Sequence, residues 1–200
     1  MNFGFTPIEE LRAQGLKALA YCKAKGYPLQ DFNIIYFEGL NTDLKTVNSD
    51  RLNEWNDVRA IVTSSGDVLM ACEATSEPGA KYTYAPLNSR GAARIAIGYH
   101  KDAWSFGDHK GQDALVQSGP IKVCRDFNQD GSRQGDKVTV ESDMGLNQHT
   151  TRGNPSEVGP WSAGCLVGRY SATHETFMKM CRASGLSKFS TIVIDGSDFA

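Results

Sequence analysis

The sequence predicts a mainly β, α+β fold, and three observations carry that prediction. Short apolar, β-branched runs recur from Val58 onward: 58–64, 68–74, 92–98, 114–116, 121–124 and 138–140. Between them lie turn signals such as Ser65-Gly66-Asp67 and Glu77-Pro78-Gly79. Helical patterning is confined to the two ends, which predicts an N-terminal helical extension and a C-terminal helix.

The first helix opens with Thr6 as N-cap, Pro7 at the first helical position and Glu9 closing a capping box. Ile8, Leu11, Leu16 and Leu19 form its expected apolar stripe, and Gly26 followed by Pro28 ends it. Phe32 to Phe37 reads as a strand or extended segment, and 38–56 as a polar surface loop. Residues 99–109, dense in aromatic and polar groups, read as another loop. Ser171 to Ala183 forms the last helix, stopped by Gly185, and Phe189 to Ile194 the last strand. No repeat or linker interrupts the chain. The simplest organisation is a core domain over 57–200 with residues 1–56 packed on it.

A length of 200 residues, 40% apolar and 22% charged, allows one sizeable core. The net charge of −2 gives no electrostatic reason to bind nucleic acid. No apolar run approaches the roughly 18 residues of a membrane span, so membrane insertion is not expected. The first ten residues lack the basic and apolar regions of a secretory signal. Synthesis in the cytoplasm without a signal peptide is therefore expected, with any action outside following non-classical release.

The five cysteines include no CxxC pair, which argues against zinc ribbons and thioredoxin-type chemistry. Cys22, Cys72, Cys124 and Cys181 read as buried small hydrophobes. Cys165 differs by its neighbours. His149 stands sixteen residues before it, within Asn147-Gln148-His149-Thr150, and Ser162-Ala163-Gly164 leads directly into it. A thiolate attacks a carbonyl far better than a thiol, and an imidazole can take the proton. Gly164 leaves the backbone free to turn amides toward a developing oxyanion. The alternative is a buried strand cysteine and an unrelated loop histidine.

His149 followed by Ser162-x-Gly164-Cys165 resembles the L,D-transpeptidase (YkuD-type) signature, a histidine and then S-H-G-C. The resemblance is sharp over about 145–169. It implies a β-sandwich with a helix beside it, Cys165 as nucleophile, His149 as base and the backbone carbonyl of Thr150 orienting the ring. It also implies a thioacyl intermediate formed with the stem peptide of peptidoglycan and no required cofactor. Two positions depart from the pattern: Ala163 replaces the second histidine, and Val167 the basic or polar residue two places after the cysteine. Arg169 is a candidate for the missing charge, or a residue flanking the helix.

Further binding candidates are Asn147 (orienting His149 or serving a turn), Ser162, Trp161, Trp104 and His109. Trp104 either lines a groove or packs on the sheet. His174 reads as solvent-facing or capping. Asp126, Asn128 and Asp130, with Gly131, match the first half of a calcium loop, but Lys137 stands where its glutamate belongs. These residues make either a structural calcium site or a plain turn. The expected function is a cysteine enzyme acting on peptidoglycan peptides, either a lysin- or effector-type hydrolase or a transpeptidase. The competing expectation is a non-catalytic wall- or virion-associated binding module on the same fold.

Overall fold

A computed structural model describes residues 8–200, so the expected cap at Thr6 and Pro7 lies outside the described residues. The protein is mixed α/β and mostly sheet, with 37% of residues in strands and 22% in helices. Helix α1 (Ile8–Ala24) is followed by strands β1 (Phe32–Glu38), β2 (Asp57–Thr63) and β3 (Val68–Thr75), then by the short helix α2 (Ala80–Tyr84). Next come β4 (Ala92–Ile95), β5 (Gly98–His109), β6 (Gln112–Gln117), β7 (Ile121–Asp126), β8 (Lys137–Glu141) and β9 (Gln148–Thr150). A 3₁₀ turn at Gly159–Trp161 leads to β10 (Leu166–Gly168), α3 (Ser171–Ala183), β11 (Lys188–Asp195) and α4 (Gly196–Phe199).

Eight strands close into a barrel in the order β1-β11-β5-β6-β9-β10-β3-β2. Strands β4, β7 and β8 form a separate three-stranded sheet. This corrects the expected sandwich of two facing sheets. Short, turn-separated strands satisfy either architecture, and long-range pairing decides between them. Closure depends on β1, which pairs antiparallel with β2 and parallel with β11. The expected boundary at residue 56 therefore separates two neighbouring strands of one barrel.

Strand β1 shows why that run is almost continuously apolar. Ile34 and Tyr36 belong to the core that also holds Trp104, Leu115, Leu166 and Phe177 of α3. Ile35 and Phe37 face a second core with Ala18 and Cys22 of α1 and Phe199 of α4. A strand buried on both faces loses the apolar–polar alternation of a half-exposed one. Helix α1 buries Gly15, Ala18 and Cys22; of the expected apolar stripe Leu19 packs against the same core, while Ile8 and Leu16 are exposed. Small residues let the helix lie close on the sheet.

Two expected loops carry more structure than their composition suggests. Residues 99–109 belong to the twelve-residue strand β5, which pairs with both β6 and β11. The 38–56 segment is pinned by buried Leu40 and Leu44. Cys22, Cys72, Cys124 and Cys181 are free and buried.

Candidate functional site

Strands β9 and β10 run parallel in the barrel, with Leu166 opposite Gln148 and Val167 opposite His149. Leu166 N–H donates to the Asn147 carbonyl at 3.0 Å, so Cys165 enters the sheet beside Asn147. Its Sγ accepts the Asn147 amide at 3.4 Å and lies 3.5 Å from the Gly145 carbonyl. Ser162 shapes the turn before it. Its fully buried hydroxyl donates to the Cys165 carbonyl at 2.8 Å and accepts Gly164 N–H at 3.1 Å. Ser162 thus organises the turn that leads into Cys165.

Gly164 has φ +126°, and a Cβ there would lie 2.4 Å from the Ala93 carbonyl oxygen. Neither the torsion nor the space admits a side chain. Because Gly164 N–H is engaged by Ser162, it is not an oxyanion donor in this arrangement. The turn is further held by Gly79 N–H, which donates to the Ser162 carbonyl at 2.9 Å. Gly79 follows the Glu77-Pro78 turn and packs so closely on Gly159 that a Cβ would meet its carbonyl at 2.2 Å.

His149 is 3% exposed. Its Nδ1 donates to the Thr150 carbonyl at 2.9 Å, so in the neutral ring the basic lone pair sits on Nε2. That Nε2 is buried and has no hydrogen-bond partner. Burial lowers the His149 pKa to about 4, with Lys110 and the neighbouring His109 adding to the effect. Burial likewise pushes the Cys165 thiol up to about 11. Both groups are therefore neutral at pH 7.

His109, at the end of β5, stacks on His149 with ring centroids 4.0 Å apart and planes 17° apart. A chain of donors sets its tautomer. Gln117 N–H donates to Asn147 Oδ1 at 2.9 Å, which turns Asn147 Nδ2 toward His109 Nδ1 at 2.8 Å. His109 Nδ1 is then an acceptor, its proton sits on Nε2, and the ring is neutral. Asn147 therefore orients His109, which is neither of the two roles its sequence context offered.

Cys165 and His149 line different cavities. Cys165 opens with Ala163, Tyr82, Arg90 and Met144 on a cavity of about 360 Å³. His149 opens on one of about 320 Å³ with His109, Lys110, Gln112, Arg152 and Trp161. Trp161 also packs in the small cluster around Cys165 and Val167, so it bridges the two sides.

Trp104 takes the packing one of its two expected roles, while Arg169 and His174 differ from expectation. Trp104 is fully buried, and its Nε1 donates to the Leu146 carbonyl at 2.8 Å, which fixes the approach to β9 instead of lining a groove. Arg169 pairs with Glu73 at 2.8 Å and donates to the Pro155 carbonyl at 3.2 Å, so its charge holds a loop. His174 is buried: Arg59 Nη1 donates to its Nδ1 at 3.2 Å, and its Nε2 donates to the Asp113 carbonyl at 2.9 Å.

The Asp126 loop has a turn's hydrogen bonding. The Asp126 carboxylate accepts the amides of Asp130 and Gly131 at 3.1 and 3.0 Å, with Arg94 3.8 Å away. Asn128 Nδ2 donates to Asp130 at 2.7 Å. Among the described residues no three His, Cys, Asp or Glu side chains are grouped to hold a metal ion, and no helix is long and apolar enough to cross a membrane.

The residues that sequence reasoning missed are Lys110, Gln112, Gln117 and Arg152. Gln117 Oε1 accepts the amides of Met144 and Leu146, both at 3.1 Å, while its Nε2 donates to the Gly119 and Glu141 carbonyls. No local pattern marks such a side chain, because its partners arrive through tertiary structure. Compared with known protein families, curated proteins and solved structures, the chain finds no match.

Proposed function

We propose that the protein is a cysteine enzyme that cleaves or transfers peptide amides of peptidoglycan through a thioacyl intermediate on Cys165. The observation that carries the chemistry is the fixed tautomer of His149. Its Nδ1–H is held by the Thr150 carbonyl, leaving a buried, unpartnered lone pair on Nε2, on the strand paired with the one that Cys165 leads into. The choice of peptidoglycan rests on the resemblance of the 145–169 segment to L,D-transpeptidases. So does assignment of the barrel and its small side sheet to a divergent form of their fold.

In the reaction, Sγ leaves the Gly145 carbonyl and passes its proton to His149 Nε2 as it attacks the amide carbon. On this reading the backbone amide of Cys165 itself serves as the oxyanion donor, since those of Gly164 and Leu166 already have partners. Collapse of the tetrahedral species breaks the C–N bond, and Nε2 returns the proton to the leaving amine. Water or a second amine then takes the acyl group from sulfur. Substrate that expels water and holds Sγ against Nε2 brings together groups that the resting protein keeps apart.

A second reading has its own observation. Cys165 is only 8% exposed, and Nε2 accepts no hydrogen bond from it. On that reading the chain is a wall-binding module that has lost the reaction. Digestion of purified sacculi with wild type and Cys165→Ala, followed by mass analysis of the muropeptides, separates the two. The enzyme reading expects shortened stems or new cross-links with wild type only. An unchanged profile with retained sacculus binding selects the module.

A further inference from the structure

We infer that the His149-side cavity is a binding site for a carboxylate on the amine half of the substrate, with Lys110 and Arg152 as its counter-ions. The inference rests on the His149–Cys165 reading for which half of the substrate lies there. His149 lines this cavity, and since it must deliver its proton to the departing nitrogen, that nitrogen is placed on the same side. The acyl half then lies in the Cys165-side cavity, whose lining includes Glu141 and Asp143 as well as Arg90 and Arg125.

The charge of the His149-side cavity differs from that of its neighbour. Its walls hold Lys110 and Arg152 and no acidic side chain. Among the described residues neither cation forms an ion pair, whereas Arg90, Arg94, Arg125, Arg133, Arg169 and Arg182 all do. Arg152 is also held in place: Nη2 donates to the Lys110 carbonyl at 2.9 Å, which joins the two cations on one rim. Pro160 and Trp161 supply the apolar wall for a side chain. The His149 ring, stacked on His109, supplies a polar face of the same cavity.

A ligand that fits is small, carries a carboxylate within reach of two cations and places a nitrogen near Nε2. A C-terminal amino-acid residue has that chemistry. The chain's missing basic residue at Val167 is then answered from the β5–β6 turn and the segment after β9, not from the turn that carries Cys165.

The test is side-chain ¹H–¹⁵N NMR of His109 and His149, titrated with N-acetylglycine, N-acetylglycinamide and inorganic phosphate at matched ionic strength. N-acetylglycine should shift both rings saturably, with the amide and phosphate far weaker. Lys110→Ala and Arg152→Ala should each weaken that binding about fivefold, as loss of one partly exposed ion pair implies, and Arg152→Lys should retain most of it. Equal responses to acid and amide, a response as strong to phosphate, no response, or binding indifferent to both cations would overturn the inference. Cys165→Ala keeps the two claims apart. It should bind N-acetylglycine as wild type does; selective carboxylate binding by a wild-type protein that forms no acyl adduct defeats only the functional reading, and lost selectivity in a wild-type protein that still acylates defeats only this one.

Discussion

In the resting protein Cys165 and His149 hold their protons apart, with the thiol near 11 and the imidazole near 4. Moving the proton across that gap costs on the order of 9 kcal/mol before the attraction of the resulting pair is counted. The structure therefore favours transfer during attack over a standing thiolate–imidazolium pair. Alkylation of Cys165 by iodoacetamide should climb with pH to beyond about 9, following its raised thiol. A plateau near neutrality would show a preformed ion pair. Turnover should fall by about 10²–10⁴-fold in His149→Ala, measured as muropeptide release.

The same depressed imidazole has a stability consequence whose sign is fixed. As pH falls from the ordinary 6.5 toward 4, the unfolded chain takes up the His149 proton first, so the native state loses stability across that window. His100, at about 4, and His174, at about 3, act in the same direction. NMR titration should find all three rings still neutral near pH 5, whereas an exposed histidine would already be charged. At Gly164 the constraint is steric. Gly164→Ala should lower stability by about 2–4 kcal/mol in denaturant melts, because the torsion and the Ala93 carbonyl both oppose a Cβ.

At the scale of elements, the site is two three-residue strands held by side chains from elsewhere. Strands β9 and β10 are too short to announce themselves, and the sheet around them supplies their pairing. Gln117 shows how: one amide side chain ties 119, 141, 144 and 146 together ahead of β9. Gln117→Ala should cost about 1–3 kcal/mol and speed hydrogen exchange of the 142–147 amides, while β1 and β11 stay protected. The chemistry of this region was partly legible. The resemblance of the 145–169 segment, more than spacing, pointed to Cys165, His149, Gly164 and the Thr150 carbonyl together. The stacking of His109 was not legible, because its residue lies on β5 and meets His149 only when the barrel closes. Strand β5 was itself read as a loop because Gly98, Asp102 and Gly107 interrupt its apolar pattern, and Asp102 has φ +47°.

Across the whole molecule, barrel closure leaves acidic groups crowded at one end, where the Glu77-Pro78 turn meets the Cys165 loop. Glu77 is ion-paired with Arg94 and Arg133, and Arg133 also pairs with Glu38. Asp57 accepts the Ser76 amide and hydroxyl at 2.6 and 2.9 Å, and that hydroxyl lies 2.9 Å from Glu38. Burial, then the crowding of Glu38 and its neighbours, raises Glu77 to about 7 despite the two arginines, and holds Asp57 well above the usual carboxylate range. For Glu77 the sign opposes that of the histidines. The folded state keeps the proton longer, so stability is lost as pH rises from about 4.5 to about 7. The stability of Glu77→Gln relative to wild type should therefore rise across that window in paired urea melts. A flat difference would mean that the arginines neutralise the crowding. The sequence could predict neither this cluster nor the barrel, since both arise from pairings such as β1 with β11 that join residues about 150 positions apart.

The central claim is a bond between substrate and Cys165. Its most direct test is intact-protein mass spectrometry of the purified chain, quenched in acid after incubation with isolated muropeptides, with peptide mapping to place any adduct. The predicted result is an added mass equal to an acyl stem fragment on the peptide containing Cys165, absent in Cys165→Ala and formed more slowly in His149→Ala. No adduct, with muropeptides unaltered at long incubation, or an adduct that survives in Cys165→Ala, would contradict it.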